Sequence, residues 1–169
     1  MKRWIVALDA SLGSWSQLIE KSPPLRSIAA VFAHSGDSWF WLLGLIILWG
    51  FGSEYWKQMA VTLGIGVIVA AVIVMAIKFT VRRSRPAGEW GRIYRNSDPH
   101  SFPSGHATRA AMLATLAIGI APTWMALILI VWAPLVGLAR ALLGVHYLSD
   151  IVGGMALGVL FGLVLLHLI

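Results

Sequence analysis

His146 and Asp150 are four residues apart, so on a helix they share a face, where the carboxylate can fix the imidazole tautomer and support a positive charge on the ring. That makes His146 a candidate nucleophile or base. His106 follows Ser104 and Gly105, a helix-start sequence whose unbonded N–H groups and positive dipole end favour an anion. Lys78, Arg85 and Arg140 supply charge, and the two arginines supply forked donors suited to phosphate. Two histidines facing each other across a phosphate would provide an attacking nitrogen on one side and a general acid on the other. The seven acidic residues are spread along the chain without the cluster that holds Mg²⁺, so the expectation is a metal-free site with no cofactor.

The elements that must position these groups follow from composition. The chain has 169 residues, of which 59% are hydrophobic and 12% charged, and its mean hydropathy is +0.81. An average soluble domain is about 45–50% apolar and about 25% charged. The expected class is therefore all-α, a polytopic transmembrane helix bundle forming one membrane-embedded domain over residues 1–169. The formal charge is +6, and six of the thirteen Lys and Arg residues lie between Lys78 and Arg95. In a bilayer setting this points to lipid phosphate as partner and not to nucleic acid. With no cysteine, thiolate chemistry and disulfides are excluded. The opening Met1-Lys2-Arg3 has the flavour of a signal peptide, but Asp9, Ser11 and Ser14 interrupt the apolar run, which is expected to be retained.

Apolar segments are expected at about 38–51, 56–78, 104–120, 123–143 and 147–169, the fourth bent at Pro134. Gly154, Gly158 and Gly162 form a small-xxx-small series suited to close helix packing. Residues 1–35 are too polar for an ordinary span and are expected to form two amphipathic interfacial segments, leaving 36–169 as the catalytic bundle. The count is five spans, with six as the alternative. Alternation then brings Lys78 and Arg85, Ser104 to His106, and Arg140 to Asp150 to one membrane face. Of the remaining histidines, His34, His100 and His167 are expected at surface or interfacial positions, His100 being the strongest candidate for more. Arg82, Arg83, Arg92 and Arg95 are expected to attract anionic headgroups. The nine tryptophans are read as interfacial belt and packing material. Arg109, one turn past His106 in an apolar helix, needs either an ion pair with Asp37 or Asp150 or an indirect role toward substrate.

Taken in order, Lys78-x6-Arg85-Pro86, Pro103-Ser104-Gly105-His106 and Arg140-x5-His146-x3-Asp150 resemble the three-part signature of the type 2 phosphatidic acid phosphatases, the PAP2 superfamily. The resemblance runs from about residue 36 to the C-terminus. It departs at Ala139, where the family usually has Ser, which removes one expected hydroxyl contact to phosphate. The resemblance implies that His146 forms a phosphohistidine and Asp150 orients it. It implies that His106 protonates the leaving oxygen and later activates water, while Lys78, Arg85, Ser104, Gly105 and Arg140 bind the phosphoryl oxygens.

The stretch from Ser101 to Ala111 is similar to the branch of this superfamily that acts on polyisoprenoid and presqualene diphosphates. The expected substrate is accordingly an isoprenoid diphosphate such as undecaprenyl diphosphate, with phosphatidylglycerophosphate, phosphatidic acid or lipid A phosphates as alternatives. Two more remote readings are a vanadium-type haloperoxidase, whose vanadate mimics the phosphoryl transition state, and a lipid-phosphate carrier without turnover. The resemblance also implies an integral protein of a bacterial-type inner or plasma membrane with its site on the extracytoplasmic face. Oligomeric state cannot be read from the sequence.

Overall fold

The computed structural model describes Asp9, Ile19, residues 21–87 and residues 98–169. Among the described residues six helices follow one another: α1 Pro23–Ser35, α2 Ser38–Phe51, α3 Glu54–Val81, α4 Gly105–Ile120, α5 Thr123–Leu142 and α6 Leu148–Leu168. Among the described residues there is no strand, and Ser84 and His100 form an isolated antiparallel bridge. Each boundary has a local cause. Pro23 opens α1 at a position where a missing N–H costs nothing. Arg82 ends α3 in the left-handed region at φ 52 with its N–H on the Lys78 carbonyl. Gly144, at φ 66, turns the chain between α5 and α6 where a side chain would be strained. Pro134 lies inside α5, and the helix continues through it.

α4 is the central element. Every residue from Ala107 to Ala117 is buried. Its small side chains admit α5 on one face, where Ala110, Ala114 and Ala117 meet Ala126, Leu129 and Ala133. On another, Met112, Leu113 and Leu116 pack with Leu63 and Val67 of α3 and Leu45 of α2. The outer surface is apolar in turn, with Ile65, Ile68, Val131, Leu160 and Leu163 all exposed. This is the pattern of a bundle that meets lipid and not water.

α3, α5 and α6 are individually long and apolar enough to cross a membrane, and α1 with α2 passes as a fourth crossing when the two are taken together across a 55° bend. The expected five spans counted 38–51 and 104–120 as full crossings. At 14 and 16 residues, α2 and α4 fall short of the roughly 20 residues a span takes. α1 lies within the stretch expected to form two interfacial segments, and it buries Ala29 and Ala33 against Ala139, Leu143 and Val145. Residues 1–20 of that stretch lie outside the described residues apart from Asp9 and Ile19. Residues 88–97, with Arg92 and Arg95, lie outside them too.

The glycine series on α6 does more than permit close packing. A Cβ on Gly154 would stand 2.7 Å from the Ser104 carbonyl oxygen, one on Gly158 2.1 Å from that of Thr108, and one on Gly162 2.5 Å from the Thr115 Cβ. The obstacle at the first two is backbone, which cannot swing aside. Gly158→Val should therefore lower the melting temperature in detergent, by an amount equivalent to at least about 1–3 kcal/mol. Gly64→Ala on α3, where a Cβ would meet nothing within 4 Å, should leave it unchanged or slightly raised. Equal behaviour of the two variants would show that α4 and α6 are not in backbone contact.

Candidate active site

The ends of α3, α4, α5 and α6 meet around a cavity of about 570 Å³. Lys78, His106, Arg140 and His146 line its charged side, together with Gly105, the first residue of α4, so the positive end of that helix meets the cavity. Trp39, Ala71, Val74 and Met75 line the other side. Trp39 and Met75 are also exposed on the outside of the bundle, so the cavity runs from buried cations to the lipid-facing surface.

His146 sits in the short link between α5 and α6 and is buried. Its Nε2 lies 3.3 Å from the Arg85 Nη1, which also donates to the Val145 carbonyl oxygen at 3.0 Å. A guanidinium can only donate, so Nε2 is the acceptor and the ring proton belongs on Nδ1. That nitrogen faces the Asp150 Oδ2 at 3.6 Å, an ion-pair distance too long for a hydrogen bond. Burial pushes the His146 imidazole down to about 4, with Arg140, Arg85 and Lys78 adding to the fall and Asp150 opposing it. The ring is therefore neutral near pH 7 with a lone pair on Nε2, the state a nucleophile needs.

Asp150 is held by groups other than His146. Its Oδ2 accepts from the Tyr147 N–H at 2.9 Å, closing the first turn of α6, and its Oδ1 accepts from the Arg83 Nη1 at 2.6 Å. Arg83 also reaches Ser149 Oγ and Asp9 Oδ2, each at 2.6 Å, and lies over the Tyr147 ring at 4.2 Å. The reading of Arg83 as a headgroup attractor is thus corrected: it is tied into the support of Asp150. Arg82 donates to the Phe79 carbonyl at the end of α3.

The other candidate residues are placed as follows. Asp98 lies between Lys78 and Arg85. It pairs with the Lys78 ammonium and stands 2.8 Å from the Arg85 Nη2, while its main-chain oxygen accepts from the Arg85 Nε at 2.7 Å. The Ser84–His100 bridge and the Ser101 N–H on the Arg83 carbonyl at 2.8 Å hold residues 83–84 against residues 100–101 beside this cluster. Ser104 is fully buried and its hydroxyl accepts from the Ala107 N–H at 3.4 Å, so it caps α4 and does not line the cavity. His106 meets Asp37, its Nε2 standing 2.6 Å from Oδ1. Arg109 lines the cavity, but its expected ion pair is replaced by bonds to the Gly36 carbonyl and the Ser38 hydroxyl. His34 lies 3.2 Å from Asp37, and His100 stands edge-on to Phe79 at 5.5 Å. Trp41 and Trp132 are packing residues as expected, and both indole N–H groups donate to Ser35. Among the described residues no three His, Asp or Glu side chains gather as metal ligands would.

Asp37, Arg83, Asp98 and Asp9 were not singled out for the site by sequence reasoning. Each lies far along the chain from the motif it serves. The available signal was an inventory of acids and arginines without an assigned partner in an otherwise apolar protein.

The depressed basicity of His146 has a measurable consequence. The folded ring stays neutral down to about 4 while an unfolded imidazole takes a proton near 6.5. Between these values the unfolded state binds more protons, so stability contributed by this group is present above 6.5 and is lost as pH falls toward 4. The melting temperature of the parent should drop more than that of His146→Gln between about pH 7 and about pH 5. Parallel curves would mean that the ring is solvated or already charged in the fold.

Comparison with known proteins places the chain in a family. The PAP2 superfamily pattern matches residues 58–169. A decaprenylphosphoryl-5-phosphoribose phosphatase of Mycobacterium tuberculosis is 35% identical over 153 residues, covering 87% of this chain and 81% of that protein. An undecaprenyl-diphosphatase of Sulfolobus acidocaldarius is 26% identical over 137 residues, covering 79% and 66%. The crystal structure of a transmembrane PAP2-type phosphatidylglycerolphosphate phosphatase from Bacillus subtilis superposes with a TM-score of 0.71 at 23% identity, over 98% of this chain and 92% of that one, a likeness of fold. With half its length and more under the family pattern and helices fit to cross a bilayer, the chain belongs to the PAP2 superfamily and is a membrane-embedded lipid phosphatase.

Proposed function

We propose that the protein removes the terminal phosphate of an isoprenoid diphosphate, of which undecaprenyl diphosphate is the type, through a metal-independent reaction with a phosphohistidine intermediate. The observation that carries this reading is the make-up of the cavity. His106 and His146 share it with Lys78 and Arg140, while Trp39, Ala71, Val74 and Met75 offer an apolar wall reaching the lipid side. Such a space suits an anionic head on an apolar tail.

The roles follow. His146 Nε2 attacks the terminal phosphorus, the bond to the bridging oxygen breaks, and His106 gives its proton to that oxygen as the lipid monophosphate leaves. Water then attacks the phosphohistidine, His106 takes the water's proton, and inorganic phosphate departs. Lys78, Arg85 and Arg140 hold the phosphoryl oxygens and supply the positive charge that a divalent ion supplies in other phosphatases. The start of α4 at Gly105 adds the helix-end field, with Ser104 fixing that start. Asp150, shared with Arg83 and the Tyr147 amide, keeps the His146 proton on Nδ1. The M. tuberculosis relative is named for a substrate bearing a phosphate monoester on a lipid-linked sugar. Lipid monophosphates, including phosphatidylglycerophosphate, phosphatidic acid and lipid A phosphates, are therefore the second reading.

Phosphate release from purified protein across a panel of lipid mono- and diphosphates tests both readings together. An isoprenoid diphosphate should give the highest kcat/KM, and a lipid monophosphate in that place would move the assignment to the second reading. His146→Ala should lose about 10⁵-fold or more, whereas Asp150→Asn, which keeps an oxygen for Tyr147, should retain a residual rate about 10²–10⁴-fold below the parent. Activity of His146→Ala within tenfold of the parent would reject the nucleophile. EDTA should leave the rate unchanged, and loss restored by added divalent ion would reject the metal-free course.

The same resemblance supports a site on the extracytoplasmic face of a bacterial inner membrane, which puts Glu54 and Lys57, paired at the start of α3, on the cytoplasmic side. The chain has no cysteine, so Lys57→Cys gives one label site. It should react with an impermeant maleimide only after cells are permeabilised. Labelling in intact cells would reverse the orientation.

A further inference from the structure

We infer that Asp37 is the positioning residue of His106, giving the site a second histidine–carboxylate pair contributed by the bend between α1 and α2. The inference rests on the phosphatase reading above and goes beyond it. Asp37 lies outside the residues 58–169 that the family pattern covers, and it belongs to none of the three motifs.

Asp37 occupies the position before α2 where an aspartate ordinarily turns its side chain onto the free N–H groups of the first turn. Here it makes no such bond. Its Oδ1 instead stands 2.6 Å from the His106 Nε2, and its Oδ2 stands 3.2 Å from the His34 Nδ1. The bend that aims it is held on several sides. Arg109 grips the Gly36 carbonyl and the Ser38 hydroxyl, and the Trp41 and Trp132 indoles hold Ser35. Gly36 leaves no room for drift, because a Cβ there would stand 2.9 Å from Val136 Cγ1 and 3.3 Å from the His106 ring. So much structure spent on aiming one carboxylate is what a precise task requires.

The two pairs differ in the way their tasks require. Asp150 divides its charge between Arg83 and a backbone amide and stands 3.6 Å from His146, a weaker hold on a ring that burial keeps neutral. Asp37 is in direct hydrogen-bond contact with His106, and Arg109 and Arg140, the cations nearest that ring, both line the cavity. A phosphate bound in the cavity offsets those two cations. Asp37 then stands against the burial that disfavours a charged His106, with Nε2–H directed to the carboxylate and Nδ1 left to serve the leaving oxygen.

A double-mutant cycle of Asp37→Asn and His106→Ala, assayed with farnesyl diphosphate and with phosphatidic acid, tests this. Asp37→Asn should lower kcat about tenfold or more with KM within about threefold. In the His106→Ala background it should change the rate by less than about twofold, because the group it positions is gone. Equal losses in both backgrounds, or a loss that tracks KM or melting temperature alone, would overturn the inference. A second measurement needs no Asp37 variant: ¹⁵N-histidine spectra of the parent, with His106 assigned by its loss in His106→Ala, should show Nε2 protonated. An unprotonated Nε2 would overturn it as well. A parent that releases phosphate from no lipid would sink the phosphatase reading and leave the spectra to judge the pair, whereas an active parent with an additive cycle would sink the pair alone.

Discussion

Main chain meets main chain where α4 and α6 cross, and the rest of the site is measured from that contact. Lipid gives helices no hydrophobic push toward one another, so they associate through close packing of small residues and through polar contacts. Here Gly154 and Gly158 lie against the carbonyls of Ser104 and Thr108, and the Ser104 N–H donates to the Asp150 carbonyl at 3.1 Å. His106 stands two residues beyond Ser104, and Asp150 is the acidic residue of the first turn of α6. The spacing of the two histidines across the cavity is thus set by backbone, which tolerates less variation than side-chain packing. α5, docked on another face of α4 through alanines, delivers Arg140 to the same end.

Charge is the second constraint. Lys78, Arg85, Arg109 and Arg140 are all buried in a protein whose surroundings are hydrocarbon, where a charge without compensation is costly. The fold answers with acids drawn from distant stretches of chain: Asp98 between Lys78 and Arg85, Asp37 near Arg109, and Asp150 with Arg83 and Asp9. Asp98 and Asp150 are each committed to a cation, so part of the site's positive field is held in the same contacts that support the fold.

This explains what could be read in the sequence and what could not. Helix boundaries were legible because Gly36-Asp37, Gly52-Ser53 and Ala121-Pro122 interrupt apolar runs, and α2 and α4–α6 begin and end within a residue or two of the expected positions. Three motifs at one edge were legible because alternation of antiparallel helices needs only counting. The partners of the motif residues were not, since Asp37 and His106 are 69 positions apart and Asp9 and Ser149 are 140 apart, and nothing local marks such pairs. Residue type misled at Arg83, which looked like one of a row of surface cations but is bonded to Asp150, while the resemblance assigned Ser104 to phosphate without showing that its hydroxyl also caps α4. The number of crossings was not legible in the same way, because apolar character alone does not show the 55° bend across which α1 and α2 qualify together as one candidate crossing.

On the proposed function, Asp98 turns phosphate binding at this site into an exchange of anions. Its carboxylate already rests on Lys78 and Arg85, so an arriving phosphate does not meet bare cations, and its electrostatic gain is only the difference between two pairings. Ground-state affinity is thereby shifted onto the apolar tail, which Ala71, Val74 and Met75 can receive. Any hold of the cations on the equatorial oxygens that strengthens as the phosphoryl group is transferred is left to be felt at the top of the barrier, where tighter binding accelerates a reaction. The same exchange runs backward at the end of a turnover. A carboxylate tethered a few ångströms away re-forms its pairs as inorganic phosphate departs, which keeps a strongly cationic pocket from being clogged by its own smallest product.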